Sequence, residues 1–161
     1  MSVTHVDKDL DALTLTMTAE FAAPLDAVWQ VWADPRKLER WWGPPTHPAT
    51  FVAHDLRPGG RMHYFMTSPE GEHYHGCWAV LAVEAPTAIE LDDAFADETG
   101  TANPDLPVTR MRLTLTAQGE GTRMDVVSTF GSREAMEQVI AMGVEEGMTE
   151  AVNQIDGLLA A

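Results

Sequence analysis

Asp93 lies on an alternating stretch, Ala88 to Phe95, in which Ile89, Leu91, Asp93 and Phe95 share one face. With that face turned inward, a carboxylate stands in an apolar wall. Desolvation then raises its pKa, which suits proton exchange near neutrality. The same group could anchor a ligand amine or hydroxyl. The alternative is a strand that frays at Asp92-Asp93 and leaves both carboxylates in water. Asp93 is the one candidate catalytic residue.

Arg61 to Thr67 alternates too, placing Met62, Tyr64 and Met66 on the face opposite Arg61, His63 and Phe65. Tyr64 can donate to a ligand carbonyl, or sit as a core tyrosine with its hydroxyl at the edge. Trp78 is expected on the same inner face, although a one-residue slip would put Cys77 there instead. His63, His73 and His75 suggest three imidazoles on neighbouring strands, a possible zinc set. Their spacing is not diagnostic, so solvated strand histidines are expected and no metal is assigned. Ser128 is the polar member of an inward row with Met124, Val126 and Phe130. No Gly-x-Ser-x-Gly elbow makes it a nucleophile. Cys77 is the lone cysteine, which excludes an internal disulfide and favours a small buried hydrophobe.

Nine methionines occur. Met62, Met66, Met111, Met124, Met136, Met142 and Met148 fall on elements expected to face the interior. Methionine fills irregular space and adapts to varied ligands. Gly143 and Gly147 lie four apart in the last helical stretch. They imply close approach to the sheet or a ligand, added cavity volume, or a kink. Trp41 and Trp42 precede a stiff Gly-Pro-Pro; one is expected in the core and the other as a gate or exposed contact. The expected ligand-contacting set is therefore Trp42, Met62, Tyr64, Met66, Trp78, Asp93, Phe95, Met111, Met124, Gly143, Gly147 and Met148.

The elements that position these residues follow from periodicity. Leu13 to Ala22 alternates as a strand. Two short helices, Pro24 to Ala33 and Pro35 to Trp42, are separated by Asp34-Pro35. Strands follow at Thr50 to Leu56, Arg61 to Thr67, His73 to Val83 and Ala88 to Phe95. Ala96 to Pro107 is a polar loop, expected to be mobile. Val108 to Ala117 and Thr122 to Phe130 form a hairpin, with Arg110, Arg112, Arg123 and Asp125 paired on its outer face. Ser132 to about Leu159 reads as one long helix with Ser132 as N-cap. So many strands must bury one face, and the long helix is the element able to cover it. The expected fold class is α+β, one domain over residues 1–161, with an antiparallel sheet.

The chain has 161 residues, 45% hydrophobic, and a net charge of −15. That charge argues against nucleic acid and anionic membranes as partners. No apolar run reaches the roughly 20 residues of a membrane span. Met1 to Leu10 has no apolar signal core, so a cytoplasmic location is expected.

Val28-Trp29-Gln30-Val31-Trp32-Ala33-Asp34-Pro35, followed by Leu38-Glu39-Arg40-Trp41-Trp42-Gly43-Pro44, resembles the opening of the SRPBCC (START-like) superfamily. The resemblance is narrower to the branch related to the C-terminal domain of the activator of the heat-shock-protein-90 ATPase. It continues through Asp55-Leu56-Arg57-Pro58-Gly59-Gly60, the Glu70-Gly71 turn, Gly76, Pro86, Gly121-Thr122-Arg123 and the terminal helix. It implies a helix-grip fold, with a curved sheet around a long C-terminal helix and a cavity between them. Two departures concern that cavity: Gly147-Met148 stands where many relatives have Gly-Trp, and Met62 where many have an aromatic residue. Relatives range from lipid carriers and receptors to polyketide cyclases and co-chaperone domains. The leading expectation is a small hydrophobic or aromatic ligand in the cavity. A cyclase, dehydratase or hydrolase using that cavity, or a chaperone-interacting module, are the alternatives. No cofactor is expected, and the chain is expected to be a monomer or homodimer.

Overall fold

The computed structural model describes residues 2–160; the outermost residues of the span 1–161, Met1 and Ala161, lie outside it. Strand β1 (Val3–Asp9) pairs with β2 (Thr14–Phe21). Two helices follow, α1 (Leu25–Ala33) and α2 (Pro35–Leu38). Then come β3 (Ala49–Ala53), β4 (Arg61–Thr67), β5 (His73–Glu84), β6 (Ala88–Phe95), β7 (Val108–Gln118) and β8 (Gly121–Phe130). All eight strands form one antiparallel sheet in the order β1-β2-β8-β7-β6-β5-β4-β3. C-terminal helical segments cover its concave face, which makes this a helix-grip fold.

Alternation sets the inner face. Leu15 lies opposite Ser128 and Ser128 opposite Met111; Met17, Val126 and Leu113 form the next row, and Ala19, Met124 and Leu115 the one after. These rows are buried except for Ser128, which is half-buried. Directly paired residues on antiparallel strands project to the same side, so each row builds one layer of the core.

The sequence left one strand unread, and two of its expectations are corrected. The charged opening segment is a strand: β1 alternates too weakly to be read, because as an edge strand it buries little. The second short helix is a single turn, Pro35–Leu38, started by Asp34, whose side chain accepts from Arg36 N at 2.9 Å. The C-terminal helix is not continuous. It runs as α3 (Arg133–Ala141), α4 (Val144–Asn153) and α5 (Ile155–Leu159). Ser132 does cap α3, its Oγ accepting from Ala135 N at 3.0 Å. The break falls at Met142-Gly143, where Gly143 has φ +89°. That left-handed geometry is one a side chain resists.

The loop expected to be mobile, 96–107, is folded back and hydrogen-bonded. Asp97 Oδ1 accepts from Thr99 N and Thr101 N. A Cβ on Gly100 would crowd the His63 ring. The outer arginines Arg110 and Arg112 pair across strands as expected, with Asp92 and Glu90 on β6, whereas Arg123 pairs with Asp125 on its own strand.

Four indoles organise the main core. Trp32 on α1 meets Trp41 edge-on at a centroid distance of 4.8 Å, and Trp42 meets Trp78 edge-on at 4.8 Å. Trp41 Nε1 donates to Val31 O at 2.8 Å, and Trp32 Nε1 to the Met124 sulfur at 3.4 Å. Edge-to-face packing adds to the area these rings bury. A smaller cluster of Leu15, Phe130, Met136 and Val139 fastens α3 to the sheet. Removing the central ring with Trp32→Ala should cost about 3–5 kcal/mol of folding stability. Urea unfolding followed by far-UV circular dichroism measures that loss.

Candidate functional site

A cavity of about 500 Å³ lies between the sheet and the α3–α4 elbow. Its floor is the inner face of β4 to β8, including Tyr64, Met66, Asp93, Met111 and Phe130; its roof is Val139, Met142, Gly143, Val144, Gly147 and Met148. The helix break makes this space. Gly143 ends the α3 hydrogen-bond ladder in left-handed geometry, and α4 begins directly after it over the cavity. Gly147 then presents only backbone: a Cβ there would meet nothing within 4 Å. The close approach expected at these glycines is therefore replaced by its opposite, open volume.

The polar end is built by register. Asp93 pairs with Trp78 on one side and Thr109 on the other, so the three share the inner face. Tyr64 lies opposite Gly76. Its ring lies over that glycine, where a Cβ would overlap the Tyr64 phenol. The Tyr64 hydroxyl donates to Asp93 Oδ1 at 3.0 Å. Burial pushes the Asp93 carboxyl up to about 7, against the opposing pull of the Tyr64 hydroxyl and the nearby Trp78 indole, which favour its ionised form. Burial and the Asp93 charge hold the Tyr64 phenol well above its ordinary value, so it remains a neutral donor. The indole nitrogens of Trp42 and Trp78 are buried without a geometrically sound hydrogen-bond partner among the described residues.

Of the residues expected to contact a ligand, nine line the cavity: Trp42, Tyr64, Met66, Asp93, Phe95, Met111, Gly143, Gly147 and Met148. Met62, Trp78 and Met124 do not; they are 1%, 1% and 0% exposed and belong to the solid core beside it. Alternation put them on the correct face, but α1 and the other indoles already cover that part of the sheet. Neither Trp41 nor Trp42 is exposed, at 0% and 5%.

Sequence reasoning missed the mouth. Thr46, His47, Tyr74 and the half-exposed Met142 line it together with Phe95. Loop residues carry no periodicity to place them, although the Gly-Pro-Pro run before Thr46 marks a fixed exit. Of the strand histidines, His75 reaches the cavity lining while His63 and His73 do not; His63 and His75 hydrogen-bond at 2.8 Å, and His73 stacks on Phe65. No group of three His, Cys, Asp or Glu side chains among the described residues is arranged to hold a metal. Cys77 shares the outer face with His63 and is buried, which raises its thiol pKa and leaves it poorly nucleophilic. No helix of the described residues is long and apolar enough to cross a membrane.

The Asp93 shift fixes a pH dependence. Its folded pKa lies above the ordinary carboxylate value of 3.8, so the folded state holds more protons than the unfolded chain between about pH 4 and 7. Its contribution to stability therefore declines as pH rises through that window. Asp93→Asn should make the stability–pH curve shallower there, as read by urea midpoints. Tyr64→Phe, which removes a donor to the carboxylate, should move the Asp93 titration higher still, as followed by carboxyl-carbon NMR.

Solved structures share this architecture along nearly the full chain. Protein Ms6760 from Mycobacterium smegmatis is 57% identical, with 98% of this chain and 96% of that one covered and a TM-score of 0.90. A protein from Arthrobacter aurescens is 48% identical, covering 99% and 92%, with a TM-score of 0.95. A third, from Staphylococcus epidermidis, is 27% identical over 98% and 94%, with a TM-score of 0.84. No curated protein matches the chain. The family model described as Activator of Hsp90 ATPase homolog 1-like protein matches residues 22–160. With that match spanning the indole cluster, the cavity and the helical roof, the chain belongs to the Activator of Hsp90 ATPase homolog 1-like family, within the SRPBCC type of fold.

Proposed function

We propose that this protein binds a small hydrophobic or aromatic molecule in the cavity between the sheet and the α3–α4 elbow. The observation that carries this reading is a cavity of about 500 Å³ with largely apolar walls, in which Asp93 and Tyr64 form a hydrogen-bonded polar pair. Pockets of this size, with sparse and fixed polar groups, are the usual form of small-molecule sites. The apolar walls would supply affinity by burial and the polar pair would set orientation. Met66, Met111, Met142 and Met148 line the walls as flexible thioethers, which suits ligands of varied outline.

A second reading, chemistry on the bound molecule, is favoured by Asp93 itself. A carboxyl held at about 7 beside a neutral phenol is able to take up and release a proton at neutral pH. Asp93 would act as acid or base and Tyr64 as donor to a ligand oxygen.

Gly147→Phe tests the binding reading. The new ring enters open space from a helix interior where glycine is itself unfavourable by about 1 kcal/mol. Its thermal midpoint should be unchanged or raised in the absence of ligand. Native mass spectrometry after exposure to naphthalene-sized hydrophobic compounds should show adducts on the natural protein and at least a tenfold loss on the variant. Equal retention by both proteins would place the ligand elsewhere.

A further inference from the structure

We infer that the cavity selects small organic cations, amines carrying an aromatic or aliphatic body, over neutral and anionic molecules of the same shape. This inference rests on the binding reading above and names its ligand class.

Three observations converge on it. First, among the described residues lining the cavity, Asp93 is the one carboxylate, and no lysine or arginine is present. The chain has 25 acidic and 10 basic residues, and the arginines nearest this part of the sheet are committed elsewhere. Arg110 and Arg112 lie on the outer face, paired with Asp92 and Glu90 at 2.9 and 3.3 Å. Alternation makes that separation strict: Thr109 and Met111 face in, Arg110 and Arg112 face out. Second, Tyr64 occupies Asp93 Oδ1, while Oδ2 receives no hydrogen bond from the described residues. One carboxylate oxygen is left to accept from a ligand. Third, Trp42, Tyr64, Tyr74, Phe95 and Phe130 bring five aromatic rings to the walls. Ring faces carry negative quadrupole density and attract cations most strongly where water is excluded.

An ammonium on Asp93 Oδ2 would offset the desolvation that makes an ionised carboxylate costly there. A ligand carboxylate would instead meet Asp93 with like charge and no cation to neutralise it. Binding a cation must also draw Asp93 into its ionised form. Because burial pushes the Asp93 carboxyl up to about 7, a bound amine should expel a measurable fraction of a proton at pH 7. Affinity should then rise with pH from about 6 to 8 while the amine itself stays charged.

The other groups able to titrate around Asp93 are Tyr64 on β4, Tyr74, His75 and Cys77 on β5, and His47 in the loop after α2. From β6 and β7 the neighbours are Ala94 and Thr109, and α3 and α4 present Val139, Met142, Gly143, Val144, Gly147 and Met148, none of them charged. His47 and His75 also face the cavity, so removal of Asp93 is needed to isolate its contribution.

The test uses three probes of one shape: naphthylmethylamine, naphthylmethanol and naphthoate. Isothermal calorimetry on the natural protein should give the amine at least about tenfold tighter binding than the alcohol, and naphthoate at least about tenfold weaker binding than the alcohol. Repeating the amine titration in buffers of different ionisation enthalpy should show the expelled proton. Asp93→Asn should bind amine and alcohol within about threefold of each other and release no proton. If that variant fails to fold by circular dichroism, the proton release and pH trend of the natural protein decide. Equal affinity for all three probes, or naphthoate binding best, would overturn cation selection while leaving the cavity reading intact. No binding of any probe, with retention unaffected by Gly147→Phe, would overturn both.

Discussion

The concave face of an eight-stranded curved sheet is wider than one helix can cover, and the four indoles decide which part of it is filled. Trp32, Trp41, Trp42 and Trp78 pack against one another, most of the pairs edge to face, in one core with Met62 of β4 and Met124 of β8. This block is rigid: its rings are buried, and two of its N–H groups are fixed by Val31 O and the Met124 sulfur. What remains of the concave face lies towards Asp93, Thr109 and Met111. There the covering helix is broken and carries two glycines. The cavity is thus the complement of the tryptophan block, and Trp42, at 5% exposure, is the ring on their common boundary.

A buried carboxylate is a liability to folding unless donors or a ligand compensate. Asp93 is tolerated because register surrounds it with compatible groups. Trp78 is its direct partner on β5, and Tyr64 reaches it because Gly76 leaves room for the phenol. The Tyr64 hydrogen bond and the nearby Trp78 indole lessen the penalty without removing it, since burial still pushes the carboxyl up to about 7. Charged groups stand close by on β7, in Arg110 and Arg112 just beyond Asp93's partner Thr109, but pleating turns both outward. The incomplete compensation at Asp93 is therefore a property of the sheet's alternation, and it leaves chemistry for a ligand to complete.

Most of the sheet was legible in the sequence because period-two alternation survives wherever one face is buried. Arg61–Thr67 and Ala88–Phe95 match the expected strands residue for residue, and Asp93, Tyr64, Met66 and Met111 fall on the expected face. Strand β1 was hidden because an exposed edge strand needs no alternation. The limits of the cavity were hidden for another reason. Periodicity tells which face a residue takes, but not what covers it. Met62, Trp78 and Met124 alternate just as Met66 and Met111 do, yet α1 seals the former and the elbow leaves the latter open. The break at Met142-Gly143 was written as a glycine, one of three readings its spacing allowed. Its positive φ, a tertiary consequence, is what selects among them.

That break also changes what the chain's departures from its relatives mean. Met62 and Met148 both stand where the resemblance to the SRPBCC superfamily implies rings, but their consequences differ. Met62 is 1% exposed within the core, so the thioether there alters packing and leaves the cavity wall untouched. Met148 lines the roof beside Gly147, where a ring would project into the open volume. With glycine and methionine at these adjacent positions, the roof is low in bulk and able to repack around a guest. Adaptable walls discriminate weakly by shape, since a flexible side chain moves at little cost. Discrimination must then fall on the part that cannot move: Asp93 and Tyr64, fixed by sheet register and by the glycine under the phenol.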